Sequence, residues 1–280
     1  MKFTLLKITS CLFVLFLAFG CGQEKTTGEK YTGLKMFDML PSAQTGVTFV
    51  NELLESPKRH YSNFNPIYNG GGVATGDINN DGLPDLYFTG NEVPNKLYLN
   101  KGNLKFEDIT QSAGVAGAGG WTNGVSMVDI NGDGLLDIYV CRGGWIKDPL
   151  KRTNLLYINQ GNMKFSEQAV AYGLADDGYS FQSAFFDYDN DGDLDVFVIN
   201  HPDKVNLKIE EYIAGRQNGA KYNKDHLYRN EGNNKFVDVT AAAGLSATYG
   251  YGLSISTADL DNNGYLDIYV ANDYTELRFV

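Results

Sequence analysis

The oxygen-bearing side chains of this sequence recur in nonapeptide runs of the form D-x-(D/N)-x-(D/N)-G-x-x-D. The first run carries Asp77, Asn79, Asp81 and Asp85 around Gly82, and the second carries Asp129, Asn131, Asp133 and Asp137 around Gly134. The third carries Asp187, Asp189, Asp191 and Asp195 around Gly192, and the fourth carries Asp259, Asp261, Asn263 and Asp267 around Gly264. Positions one, three, five and nine each offer a carboxylate or amide oxygen. Position seven can add a backbone carbonyl, and the glycine at position six permits the sharp turn that gathers them. Hard oxygen donors at this spacing suit Ca2+, which takes roughly six to eight of them with water completing the shell. Mg2+ keeps more of its water and demands a stricter octahedron, and softer metals call for His or Cys, neither of which is nearby. Up to four Ca2+ ions are therefore expected.

Charge supports the same chemistry. The chain has a formal charge of −11, and without the 13 aspartates at positions one, three, five and nine of the four runs it would be +2. Two carboxylates about 4 Å apart repel by roughly 4 kcal/mol at an effective dielectric of 20, so an unfilled loop is costly. A plain Asx turn needs one Asp or Asn rather than four. An EF-hand needs a bidentate Glu at position twelve, where these runs place Phe88, Val140, Val198 and Val270. No basic stripe of the kind that binds nucleic acid is visible. The histidines, His60, His201 and His226, lack metal-ligand spacing, and no nucleophile elbow, phosphate loop or zincin motif is present. No catalytic residue is assigned, and an enzyme is not expected.

The elements that must position these loops are legible from a repeat. The runs start at 77, 129, 187 and 259, at intervals of 52, 58 and 72 residues, a period typical of repeat architectures. Each run leads into an apolar triplet such as Leu86-Tyr-Phe88, which reads as a strand. Leu-Tyr pairs follow at Tyr98, Tyr157 and Tyr228, then Phe106, Phe165 and Phe236, then Gly114, Gly173 and Gly244. Asn-x-Gly turns (Asn100–Gly102, Asn159–Gly161, Asn230–Gly232) separate Tyr from Phe and mark hairpins. Each unit thus holds four short strands, the first small and apolar (Val73–Gly76, Ser183–Phe186), as crowding around an axis requires. The fold class is all-β: a β-propeller of four-stranded blades, with about three and a half blades in residues 36–280. The third and fourth strands of the last unit are expected to be missing, and Phe37–Val47 is expected to supply a strand-four pattern.

The acidic runs with their following strands resemble the FG-GAP/VCBS repeat of integrin-alpha-type propellers. The stretches YNGGGVATGDINNDG and NKLYLNKGNLKFEDIT resemble the bacterial cartilage-acidic-protein-like surface proteins, an ASPIC/UnbV-associated family, over roughly residues 36–275. That resemblance implies a longer parent propeller, of seven blades, often followed by a UnbV-type domain. The chain is expected to be a fragment of such a protein.

Residues 1–20 read as a signal peptide, with Lys2 and Lys7 ahead of the 12-residue apolar run Ile8–Phe19. Ala18-Phe19-Gly20-Cys21 resembles a bacterial lipoprotein box, so Cys21 is expected to be lipidated and residues 21–35 to be a polar tether. Simple secretion and an uncleaved anchor are the alternatives. The expected location is the outer membrane, through a lipid anchor. Cys141 then has no partner and is expected to be a small buried residue.

Length variation concentrates between strands two and three: Asp85 to Tyr98 spans 13 residues, Asp137 to Tyr157 spans 20, and Asp195 to Tyr228 spans 33. These links lie opposite the acidic loops, and insertions on one face often mark a binding face. Trp145 lies in one of them, and Trp121, Tyr179, Phe181, Tyr249 and Tyr251 lie in the return to strand one on the same face. They are candidates to stack on a glycan or partner protein; packing between blades is the alternative. The expected function is a calcium-binding surface module for binding or adhesion to a protein or glycan. A carbohydrate-active enzyme of polysaccharide-lyase type and a scaffold for a C-terminal domain are the other readings.

Overall fold

A computed structural model describes residues 37–117, 119–202, 224–245, 250–273 and 278–279. The expected signal peptide, Cys21, the tether and Tyr249 lie outside the described residues.

Alternation of apolar and small residues builds four antiparallel meanders. The first sheet is β1 (Val73–Gly76), β2 (Asp85–Phe88), β3 (Lys96–Asn100) and β4 (Phe106–Asp108). The second is β5 (Thr122–Val128), β6 (Asp137–Arg142), β7 (Leu155–Asn159) and β8 (Phe165–Glu167). The third is β9 (Ser180–Phe186), β10 (Asp195–Asn200), β11 (His226–Asn230) and β12 (Phe236–Asp238). The fourth is β13 (Tyr251–Ala258), β14 (Asp267–Asp273) and β15 (Arg278–Phe279). Strands follow chain order in every sheet. The first strands line up, with β1 against β5, β5 against β9 and β9 against β13. This is the arrangement of successive propeller blades.

Strand two of each blade explains the cohesion. Both faces of β6 are buried, and side chains alternate between faces with period two. Ile138 and Val140 pack with Tyr87, Leu97 and Leu99 of the first blade. Tyr139 and Cys141 pack with Val196, Val198 and Tyr228 of the third. Phe197 and Ile199 repeat the pattern against Ile268 and Val270. Burial of each such side chain contributes about 1.5–3 kcal/mol. Each blade therefore depends on its neighbour for a core.

A helical turn follows strand four in the first two blades: α2 (Thr110–Ala113) and α3 (Ala169–Tyr172). Each closes on a left-handed glycine, Gly114 or Gly173, both at φ 81. At Gly173 a Cβ would lie 2.5 Å from the Phe236 carbonyl oxygen of the next blade, so only glycine fits the contact.

Two expectations are corrected. Residues 37–41 form no strand; the segment instead carries α1 (Ser42–Thr45), closed by Gly46 at φ 81. A Cβ at Gly46 would collide with the Phe106 carbonyl, the same contact as at Gly173. The shared Gly-Val signal thus reported the turn after strand four rather than the strand. The third strand of the last blade is present as β15, pairing Phe279 with Tyr269 and Arg278 with Val270. It was illegible because two residues without a Leu-Tyr pair carry no periodic signal.

Candidate cation loops and the opposite rim

Each acidic run bridges strands one and two, and its side chains fold back on its own backbone. In the first, Asp77 accepts from Asp81 N (3.1 Å) and Gly82 N (2.6 Å). Asn79 Oδ1 accepts from Asp81 N at 3.2 Å, and Asp81 Oδ1 accepts from Leu83 N at 2.9 Å. Left-handed Gly82 (φ 85) makes the turn. Position nine plays a different part. Asp85 is fully buried, with Oδ2 accepting from Ile78 N (3.0 Å) and Oδ1 accepting from Asn100 N (2.7 Å) at the end of β3. Asp137 repeats this with Ile130 N and Asn159 N, and Asp195 with Tyr188 N and Asn230 N. One carboxylate therefore fastens the loop to the third strand.

The electrostatics are strained in favour of positive charge. Burial, helped by the charge of the other acids of their loops, raises the Asp137 and Asp195 carboxyls to about 6 against the pull of the backbone N–H donors. Asp85 is raised for the same reasons. In the third loop, carboxylate oxygens of Asp187, Asp189 and Asp195 lie within 4.8 Å of one another. Asp259, Asp261 and Asp267 converge likewise in the fourth. That span is twice a Ca–O bond of about 2.4 Å. In the first two loops an amide, Asn79 or Asn131, replaces the carboxylate at position three. The buried Asp189 Oδ1 and Asp193 Oδ1 have no hydrogen-bond partner, and a cation would satisfy such an orphan. Positions one, three and nine of the third and fourth loops thus bring together the hard oxygen donors that a divalent ion takes.

At the opposite rim the structure gathers most of the aromatic residues the sequence singled out. Trp121, Tyr179, Phe181 and Tyr251 line one cleft together with Phe64 and His201, and Trp145 lines the adjoining one. Trp121 and Tyr179 are buried. Trp121 packs 4.4 Å from Trp145, and Phe64 meets both rings edge-on at 5.6 and 5.1 Å. Arg152 lies over the Tyr179 ring at 4.1 Å, and Phe181 stacks on His201 at 4.4 Å. The His201 Nε2–H donates to the Gly252 carbonyl at 2.7 Å, and burial lowers that imidazole to about 4. Phe64 and Ile67, which cover this rim, sit in a segment without periodic pattern, so no sequence signal marked them.

Sequence reasoning also missed a polar pair inside the blades. Asn95 Nδ2 donates to the Tyr87 hydroxyl (3.0 Å), which donates to the Val115 carbonyl (2.7 Å). Asn154, Tyr139 and Leu174 repeat it. The signal was present, since an Asn stands two residues before each Leu-Tyr pair in these units. The third blade departs from it, with Phe197 replacing the tyrosine and buried Asp225 replacing the asparagine. Asp225 accepts from Asn200 N, and nearby Asp176 accepts from the Tyr228 hydroxyl and pairs with His226.

Residues 77–140, 148–198 and 210–270 match the model of the FG-GAP-like repeat. All four acidic runs fall inside these segments. The chain is also similar to cartilage acidic protein 1 of Xenopus tropicalis, with 29% identity over 211 residues, 73% of this chain and 29% of the relative. Against cartilage acidic protein 1 of Mus musculus the identity is 27% over 208 residues, 72% of this chain and 29% of the relative. The chain spans under a third of the length of these curated relatives.

Proposed function

We propose that this chain, which belongs to the FG-GAP-like repeat family, is an exported binding module that takes up Ca2+ in its acidic loops and engages a protein or glycan partner at the opposite rim. The observation that carries the calcium reading is the convergence of mutually repelling carboxylate oxygens within 4.8 Å, with the buried Asp189 Oδ1 left without a hydrogen-bond partner. Asp77, Asp129, Asp187 and Asp259 at position one, with the donors at positions three and five, would hold the ion from the loop side. Asp85, Asp137, Asp195 and Asp267 at position nine would hold it from the strand side. Calcium supplies the charge that these carboxylates lack, and it couples loop closure to folding.

The rim opposite the loops supports the binding half of the reading, because aromatic side chains from several blades meet there. The cleft between Phe64, Phe181 and Tyr251 is lined mainly by aromatic rings, which suits stacking. The Cys21 box supports a lipid anchor at the outer membrane. Thermal melting of the full chain, metal-free and with calcium restored, tests the ion sites. A melting temperature independent of calcium up to 10 mM would overturn that reading. Binding to a glycan or protein array without product formation tests the rim, and turnover of any polysaccharide would replace the module with an enzyme. Labelling by a fatty-acid probe that Cys21→Ala abolishes tests the anchor.

A further inference from the structure

Position four of every acidic loop adopts the left-handed backbone: Asn80 at φ 58, Gly132 at φ 70, Asn190 at φ 62 and Asn262 at φ 59. Asparagine and glycine are the residues that accept this conformation most readily. In two loops that asparagine reaches out of its own blade. Asn80 Nδ2 donates to the Gly134 carbonyl of the second loop at 2.9 Å. Asn190 Nδ2 donates to the Gly264 carbonyl of the fourth loop at the same distance. Between the second and third loops the corresponding residue is Gly132, which has no side chain to send across.

We infer that the loops take up ions as two coupled pairs, first with second and third with fourth, with no matching link between second and third. The inference rests on the calcium reading above and concerns what the chain's own residues do around it. Each cross-strut joins two peptide groups that already hold ion ligands. The Asp81 N–H, next to Asn80, is shared by Asp77 Oδ1 (3.1 Å) and Asn79 Oδ1 (3.2 Å). The carbonyl that Asn80 grips belongs to the Gly134–Leu135 peptide, whose N–H donates to Asp133 Oδ1 at 2.9 Å. Fixing Asp77, Asn79 and Asp81 therefore fixes Asn80, which orients the peptide that aims Asp133. The second pair repeats the path: the Asp191 N–H donates to Asp187 Oδ1 (3.1 Å), and the Tyr265 N–H donates to Asn263 Oδ1 (2.8 Å). Order supplied at one loop lowers the cost of ordering its partner, and the effect is reciprocal. The struts are exposed, so a single net hydrogen bond sets the scale. That corresponds to about a fourfold gain in affinity at the second loop and a Hill coefficient of about 1.3 for an isolated pair.

The test is calcium titration calorimetry on full-length variants that keep two loops. Asp187→Ala with Asp259→Ala leaves the first pair, and Asp77→Ala with Asp259→Ala leaves the second and third loops. The first pair should bind with a Hill coefficient near 1.3, falling to 1 with Asn80→Ala, while the second and third loops bind independently. Gly132→Asn should introduce coupling there, since a Cβ at Gly132 meets open space and its backbone suits asparagine. Calcium binding in both variants, with the first pair indifferent to Asn80→Ala, overturns the coupling and leaves the ion sites standing. No calcium heat in cooperatively melting protein overturns both. If the silenced loops prevent folding, Asn80→Ala with Asn190→Ala in the otherwise unaltered chain should make the calcium titration shallower, and unchanged steepness overturns the inference.

Discussion

Asp195→Asn separates an ion ligand from a turn anchor, because the structure assigns opposite costs to the two roles. The wild-type carboxylate accepts two backbone N–H groups, Asn230 N at 2.8 Å and Tyr188 N at 2.9 Å. An amide has one oxygen and can serve only one of them. The other N–H loses a charge-assisted bond and faces a donor, which costs about 1.5–3 kcal/mol. Against this stands the charge. Burial and the neighbouring Asp189 and Asp193 raise the acid to about 6, so ionisation at neutral pH costs the native state about 3 kcal/mol at most and about 2 after solvent screening at the loop, and the neutral amide avoids that cost. The two effects nearly offset, so the metal-free variant should melt within a few degrees of wild type. With calcium the balance changes. A site filled at ten times its dissociation constant adds about 1.4 kcal/mol, and losing it should remove about 3–6 °C from the calcium-induced rise of a domain this size. The assay is scanning calorimetry of both proteins after desalting, with and without calcium. A variant that loses equal stability in both conditions would show Asp195 to be a turn anchor alone and would refute the reasoning.

Three further outcomes follow from the same geometry. Between pH 4 and 6 the native state retains protons on Asp137 and Asp195 that the unfolded chain has released, so metal-free stability should fall as pH rises through that window. Asp225, raised by burial to about 7, acts in the same sense, while His201, lowered by burial to about 4, opposes with one proton. The calcium-induced rise should grow over the same window, read by melts at half-unit pH steps. Gly173→Ala and Gly244→Ala share φ 81, but only the first places a Cβ against a carbonyl, the second meeting open space. Urea unfolding should give about 1 kcal/mol for Gly244→Ala and at least about 3 for Gly173→Ala, and equal losses would contradict the interblade contact. Cys141 is fully buried and its thiol is pushed up to about 12 by that burial, so a thiol reagent should label it only at the rate of unfolding.

The acidic runs, the hairpin turns and the four-strand period were legible because each depends on local chemistry. A loop that gathers oxygens needs Asp or Asn at alternate positions and Gly at the turn, whatever surrounds it. The Asn95–Tyr87 and Asn154–Tyr139 pairs were harder to read, since their partners sit on different strands and acquire meaning only when β2 meets β3 or β6 meets β7. The Phe64–Ile67 cover on Trp121 had no periodicity to betray it. The resemblance between Phe37–Val47 and a strand-four unit misled in its first half. The Gly-Val landmark is demanded by the turn, whereas a strand needs a neighbour to pair with.

The sequence by itself determined which residues would form the loops and that sheets would repeat, because ligand chemistry and strand alternation act over a few residues. Only the tertiary structure decided which carboxylate is buried and bound to the third strand, and which blades share a core. It also decided that Asn80 and Asn190 reach the next loop while Gly132 does not. Those outcomes depend on separations of a few ångströms between residues dozens of positions apart, which no spacing along the chain can encode.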